Sequence, residues 1–111
     1  MELQVRENGK VQILDLEGNL TIGREDLVLR ENFRSLLQEG HALFLLNLKK
    51  VDYIDSSGLG EIVACKKRAV EKGGDVKLLH PNARVHELFH LSKLTEIFQI
   101  FQEEAEAINS F

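Results

Sequence analysis

The sequence predicts a small α/β protein. A mixed β-sheet of four to five strands is expected, opened by an antiparallel hairpin, mostly parallel thereafter, and packed with about four helices. Three observations carry this expectation. Leu3 and Val5 alternate with Glu2, Gln4 and Arg6 and are followed by Asn8-Gly9, the pattern of a half-buried strand entering a two-residue hairpin turn. Ala42 to Leu48 is a nearly continuous apolar run, as a central strand covered on both faces requires. Stretches of helical period then alternate with short apolar runs, the order of parallel β-α units.

The elements follow in sequence. A second strand is expected from about Val11 to Leu16, with imperfect alternation. From Arg24 to Glu39, Leu29, Phe33, Leu36 and Leu37 share one helical face, and Gly40 is placed to end the helix. Thr21, Gly23 and Asp26 are all candidates for its start. A helix from Leu59 to Lys72 has Leu59, Ile62, Val63, Ala69 and Val70 as its inner stripe and ends at Gly73-Gly74. Val76 to Leu79 is the next strand, and Asn82 after Pro81 caps a short helix to about His90, with Val85, Leu88, Phe89 and Ser92 on one face. A small edge strand falls between Ile97 and Phe101. Phe101, Ala105 and Ile108 mark a last helix whose start carries Glu103, Glu104 and Glu106, where negative charge is favourable.

Composition narrows the function. One domain is expected at 111 residues, long enough to bury a core without a disulfide or a metal. The net charge of −4, with both signs mixed, argues against a nucleic-acid or anionic-membrane surface. Cys65 is the only cysteine, so no intrachain disulfide can form and a reducing compartment is expected. Met1 to Val5 lacks the basic-then-apolar pattern of an export signal, and no apolar run is long enough to span a bilayer, so a cytoplasmic location is expected.

The stretch Val51-Asp52-Tyr53-Ile54-Asp55-Ser56-Ser57-Gly58-Leu59-Gly60 joins the third strand to the helix after it. Ser56 or Ser57 suits an N-cap, because a hydroxyl can accept a free N–H of the first turn. Gly58 and Gly60 leave little bulk over that turn, so a partner can approach the backbone closely. A helix N-terminus also favours negative charge, phosphate included. These residues describe either plain capping serines or an exposed hydroxyl beside a site tolerant of a phosphoryl group.

The stretch resembles the phosphorylatable loop of STAS domains, in particular the stand-alone anti-sigma factor antagonist family. That family's Asp-Ser-Ser-Gly-Leu-Gly motif is complete here from Asp55 to Gly60. The likeness extends to Gly18-Asn19-Leu20 after the second strand, Leu46-Asn47-Leu48 in the third, Gly73-Gly74 and Leu88-Phe89, and covers nearly the whole chain. It implies a single STAS domain over residues 1–111 with a STAS-like mixed sheet. It also implies a phosphoprotein of bacterial signalling that regulates transcription by partner switching. Dephosphorylated, such a protein binds an anti-sigma factor with GHKL-type serine kinase activity and so releases a sigma factor; a PP2C-type phosphatase resets it.

On this resemblance the phosphorylated residue is Ser56, directly after the aspartate, with Ser57 the second choice. Asp55, Ser56, Ser57, Gly58, Leu59 and Gly60 would contact the partner, with Asn19 and Thr21 at the rim. The base and Mg²⁺ for phosphoryl transfer would come from the kinase. The chain would then be a substrate rather than an enzyme, with no catalytic residue, metal or cofactor of its own, and a monomer or weak dimer. Many family members carry an acidic residue where this chain has Thr21, which leaves two expectations open: phosphorylation chemistry tuned differently, or a partner that is not an orthodox anti-sigma kinase. STAS domains also serve as scaffolds in stressosome-like assemblies and in lipid or anion transport complexes, which is the alternative role for the same fold.

Other motifs compete. His86-Glu87-Leu88-Phe89-His90 matches the H-E-x-x-H spelling of zinc hydrolases, but a catalytic site needs a third ligand, and the spacing of His41 and His80 selects neither. Ser56 or Cys65 could be joined on paper to a histidine and an acid, yet no nucleophile-elbow pattern is present and Cys65 falls mid-helix among small and apolar neighbours. Lys66, Lys67 and Arg68 form a basic turn, either a solvated face or a partner contact.

Overall fold

The computed structural model describes all 111 residues. Five strands are present: β1 (Glu2–Asn8), β2 (Val11–Leu20), β3 (Leu43–Ile54), β4 (Asp75–Leu79) and β5 (Ile100–Phe101). They lie side by side in sequence order, β1 antiparallel to β2 and every other pair parallel. Four helices, α1 (Arg24–Gln38), α2 (Ser56–Glu71), α3 (Ala83–Leu91) and α4 (Glu104–Asn109), and a 3₁₀ turn at Leu94–Glu96 connect and cover them. The expected mixed sheet with its opening hairpin is therefore present.

Several boundaries move for local reasons. Asn8 pairs with Val11, so the hairpin loop is Gly9-Lys10 rather than Asn8-Gly9. Gly9 has φ +60° and takes the first loop position, where a glycine-first turn needs it. β2 continues past Leu16 through Gly18-Asn19-Leu20, so that triplet lies inside the strand and not after it. The β2–β3 register slips between Asp15 and Glu17 and again between Gly18 and Asn19. The imperfect alternation before those slips comes from burial on both faces, Val11 and Ile13 entering one core cluster and Leu14 and Leu16 the other. β3 likewise runs beyond the apolar stretch to Ile54.

β3 divides the core. Phe44, Leu46 and Leu48 face the larger cluster with Leu29 and Phe33 of α1, Ile62, Cys65 and Ala69 of α2, and Val85 and Phe89 of α3. Leu45, one step out of phase, joins Val11, Ile13, Leu79 and Ala107 of α4 on the opposite face. The buried position of α4 is thus Ala107, whereas Ala105 is exposed. Val70 also departs from its predicted stripe. It is 52% exposed, because Ile62, Cys65 and Ala69 already define the inward line of α2 and Val70 is rotated past it. Ser92 lies outside α3 and is exposed.

The helix ends follow known chemistry. α1 begins at Gly23 with no side-chain cap. It ends in a Schellman arrangement, the N–H of Gly40 donating to Leu37 O (3.0 Å) and that of His41 to Leu36 O (3.1 Å), with Gly40 at φ +98°. Most buried charged groups meet a polar partner, although Arg68 Nη1 makes no hydrogen bond. Arg30 of α1 donates to Glu61 of α2 at 2.8 Å, and Arg68 approaches the same carboxylate at 3.6 Å. Lys77, in the middle of β4, donates to Ser110 O (2.7 Å) and Oγ (2.8 Å) beneath the Phe111 ring. The basic turn of α2 is largely used inside the fold: Lys66 pairs with Asp75 and Arg68 leans on Glu61, leaving Lys67 exposed.

Candidate functional site

The start of α2 is built around Asp55, and this corrects the expectation that a serine caps the helix. Asp55 has extended backbone (φ −91°, ψ −178°), and its Oδ1 accepts the Gly58 N–H at 2.8 Å. Ser56 and Ser57 are already helical and cannot hold the cap position. Oδ2 of Asp55 accepts the Ile22 N–H at 2.9 Å, and the Asp55 N–H donates to Leu20 O at 3.2 Å. One side chain thereby ties the loop after β2 to the junction of β3 and α2. The N–H groups of Gly58 and then Ile22 hold the Asp55 carboxyl below its ordinary pKa, so it is an anion at neutral pH.

The two serines have different surroundings. Ser56 is the first residue of the helix and is exposed. Ser57 is half-buried, and its Oγ donates to Asp26 Oδ2 at 3.0 Å. Asp26, in the first turn of α1, is only 7% exposed. Sequence reasoning considered Asp26 only as a helix start. No local pattern marks it as the partner of a serine 31 residues away.

The two glycines also separate. A Cβ on Gly58 would lie 2.2 Å from Leu20 O, so the absent side chain lets α2 close against β2. Gly58 is buried and offers a partner no surface. Gly60 is exposed with nothing within 4 Å of a Cβ, so only there does the expected open approach exist.

Apolar surface flanks Ser56. Ile22 is 74% exposed, Leu91 71% and Tyr53 48%, well above what their residue types usually leave in water. Between α3 and the β3–α2 junction runs an open groove of about 440 Å³, lined by Tyr53, Leu59, Val85, Leu88 and Leu91, with Asp55 and Ser56 at its rim. Asn19 is exposed on β2 in register with Tyr53, and Thr21 is half-buried in the loop that follows. Ile22, Tyr53 and Leu91 were absent from the sequence-based set. Leu91 falls off the inner stripe of α3 and Ile22 sits alone beside Gly23, two weak signals that an apolar residue faces out.

The competing sites do not assemble. His86 and His90 are exposed along a shallow cleft with Thr95, Phe98 and Gln99, and no group of three His, Cys, Asp or Glu side chains able to hold a metal ion occurs in the fold. Cys65 is fully buried, and that burial pushes its thiol far above the ordinary range, so it is no nucleophile.

Residues 2–107 match the STAS domain family, and the chain belongs to it. Among curated relatives, the anti-sigma F factor antagonist of Paenibacillus polymyxa is 29% identical over 108 residues, covering 97% of this chain and 92% of its own. The anti-sigma-B factor antagonist of Bacillus subtilis (strain 168) is 38% identical over 73 residues, 66% of each chain. A Thermotoga maritima crystal structure, described as that of a candidate anti-sigma factor antagonist, superposes with a TM-score of 0.90 at 30% identity, covering 97% of this chain and 92% of that one. No helix is long and apolar enough to cross a membrane.

Proposed function

We propose that this chain is a cytoplasmic anti-sigma factor antagonist whose docking is switched by phosphorylation of Ser56. The observation that supports this best is the exposed Ser56 hydroxyl on the first turn of α2, bordered by the exposed side chains of Ile22, Tyr53 and Leu91. A serine kinase can reach Ser56. Ser57 is engaged with Asp26, which favours Ser56 as the acceptor. The partner is an anti-sigma factor with GHKL-type serine kinase activity, and a PP2C-type phosphatase removes the phosphate. The chain is a substrate in this cycle and supplies no catalytic group.

The switch is local electrostatics. A phosphoryl group adds about 1.5–2 negative charges at pH 7. The helix N-terminus tolerates them, so the fold persists. Docking does not, because the new charge would be desolvated against the partner beside the ionised Asp55. The contact surface comprises Ser56, Leu59 and Gly60 with the exposed Ile22, Tyr53 and Leu91 around them, Asn19 and Thr21 at its rim and Asp55 beneath it. Gly58 and Ser57 shape it from below.

The test uses a pull-down on the cognate anti-sigma kinase with two variants of the intact chain. Ser56→Ala should bind as the parent does and gain no phosphate by mass spectrometry. Ser56→Asp should keep its circular dichroism spectrum and lose binding. Equal capture of both variants would refute the switch.

A further inference from the structure

The two edges of the sheet are finished differently. β5 is two residues long. β1 runs seven residues in unbroken register with β2, contains no proline or bulge, and is exposed at every residue but the half-buried Leu3. Val5 on this strand is 43% exposed. A long, straight, uncovered edge is a template for another strand. The order of side chains along it says which strand fits. Glu2-Leu3-Gln4-Val5-Arg6 reads acid, apolar, amide, apolar, base, and is complementary to itself when turned around.

We infer that β1 is the contact surface for a second copy of this chain, paired antiparallel about Gln4 so that two five-stranded sheets become one. In that register Glu2 faces the second copy's Arg6, Leu3 faces its Val5, and Gln4 faces its Gln4. The backbone permits it. The hydrogen bond closing the Gly9-Lys10 turn joins Asn8 to Val11, and inward-bonded residues recur at every second position. Arg6, Gln4 and Glu2 therefore bond to β2, while Leu3, Val5 and Glu7 turn their N–H and C=O groups outward. The Leu3–Val5 pairs supply the new backbone bonds. The Glu2–Arg6 pairs take the closer, non-bonded positions that suit a cross-strand ion pair.

Arg6 already binds Asp15 and Glu104 through four N–H donations, which orients its guanidinium and leaves one N–H of Nη1 for a third carboxylate. The same cleft holds Lys49 and Lys50 beside the acids Glu2, Asp15 and Glu17, so both signs of charge are present where the second copy's Glu2 would enter. A two-fold axis perpendicular to the sheet keeps Leu3 and Val5 of both copies on one face. It also points the two Ser56 ends in opposite directions, so both stay free for a partner.

Sedimentation velocity of the intact chain from micromolar to near-millimolar concentration tests the inference. The expected mass rises from one chain to two. Glu2→Arg should weaken association by about tenfold, by setting like charges opposite each other. Val5→Pro should abolish it while keeping the hairpin, since the N–H it removes points outward. Gln4→Cys fixes the register: mild oxidation should link two copies through residue 4, and Leu3→Cys should not link. Cys65 is buried and does not interfere. A parent chain that stays at the mass of one copy throughout overturns the inference. So does dimerisation of either edge variant at parental strength, or linking of Leu3→Cys in preference to Gln4→Cys.

Discussion

Helices α2 and α3 begin in the same way and end up as different surfaces. Each follows a parallel strand, and each is capped by an acid-derived side chain that accepts the N–H three residues on at 2.8 Å, Asp55 from Gly58 and Asn82 from Val85. Around Asn82 the remaining chemistry is structural: its amide donates to Val51 O at 3.1 Å, and no hydroxyl stands at the helix start. Around Asp55 the cap is charged, a second bond reaches Ile22, a free serine follows, and apolar side chains lie open on both sides. A capped helix N-terminus is thus common architecture. What sets α2 apart, and supports the docking role proposed for it, is the uncovered hydroxyl and the apolar surface beside it.

Five changes would sharpen the contrast. The largest effect is expected from Gly58→Ala, which drives a Cβ into Leu20 O and should cost about 3 kcal/mol or more in urea unfolding, while Gly60→Ala, with open space, should be neutral or slightly stabilising. Next, Ser57→Ala removes the only side-chain donor to the buried Asp26 carboxylate and should cost about 1–3 kcal/mol. Asn82→Ala, the loss of an ordinary cap, should cost about 1 kcal/mol with no pH dependence below neutrality beyond that of the parent. Ser56→Ala should change stability by no more than about 0.5 kcal/mol, since its hydroxyl is exposed and bonds nothing in the fold.

Acid titration separates the two caps further. The Asp55 carboxyl titrates below its unfolded value, so its stabilising contribution is present above the unfolded carboxylate pKa and is lost as pH falls through the folded one. The difference in unfolding midpoint between the parent and Asp55→Asn should therefore be full near neutrality and shrink toward zero in strong acid. A difference that persists unchanged at low pH would show that charge has no part in that cap.

Much of this protein was legible in one dimension. The alternation in β1, the apolar run of β3, the stripes of α1 and α2, Asn82 as a cap and the Asp55–Gly60 motif are local patterns, since a period or a cap involves residues only a few positions apart. The sequence alone also established that two adjacent serines stand where a strand passes into a helix. Only the tertiary structure decided which of them is free, because Ser57 is engaged by Asp26 from 31 residues away and Asp55 is held by Ile22 from 33. It likewise decided that Gly58 is a packing glycine, that Lys66 and Arg68 are spent internally, and that Ile22, Tyr53 and Leu91 face water. Those outcomes depend on how separate elements come to lie against one another, and no spacing along the chain encodes that distance.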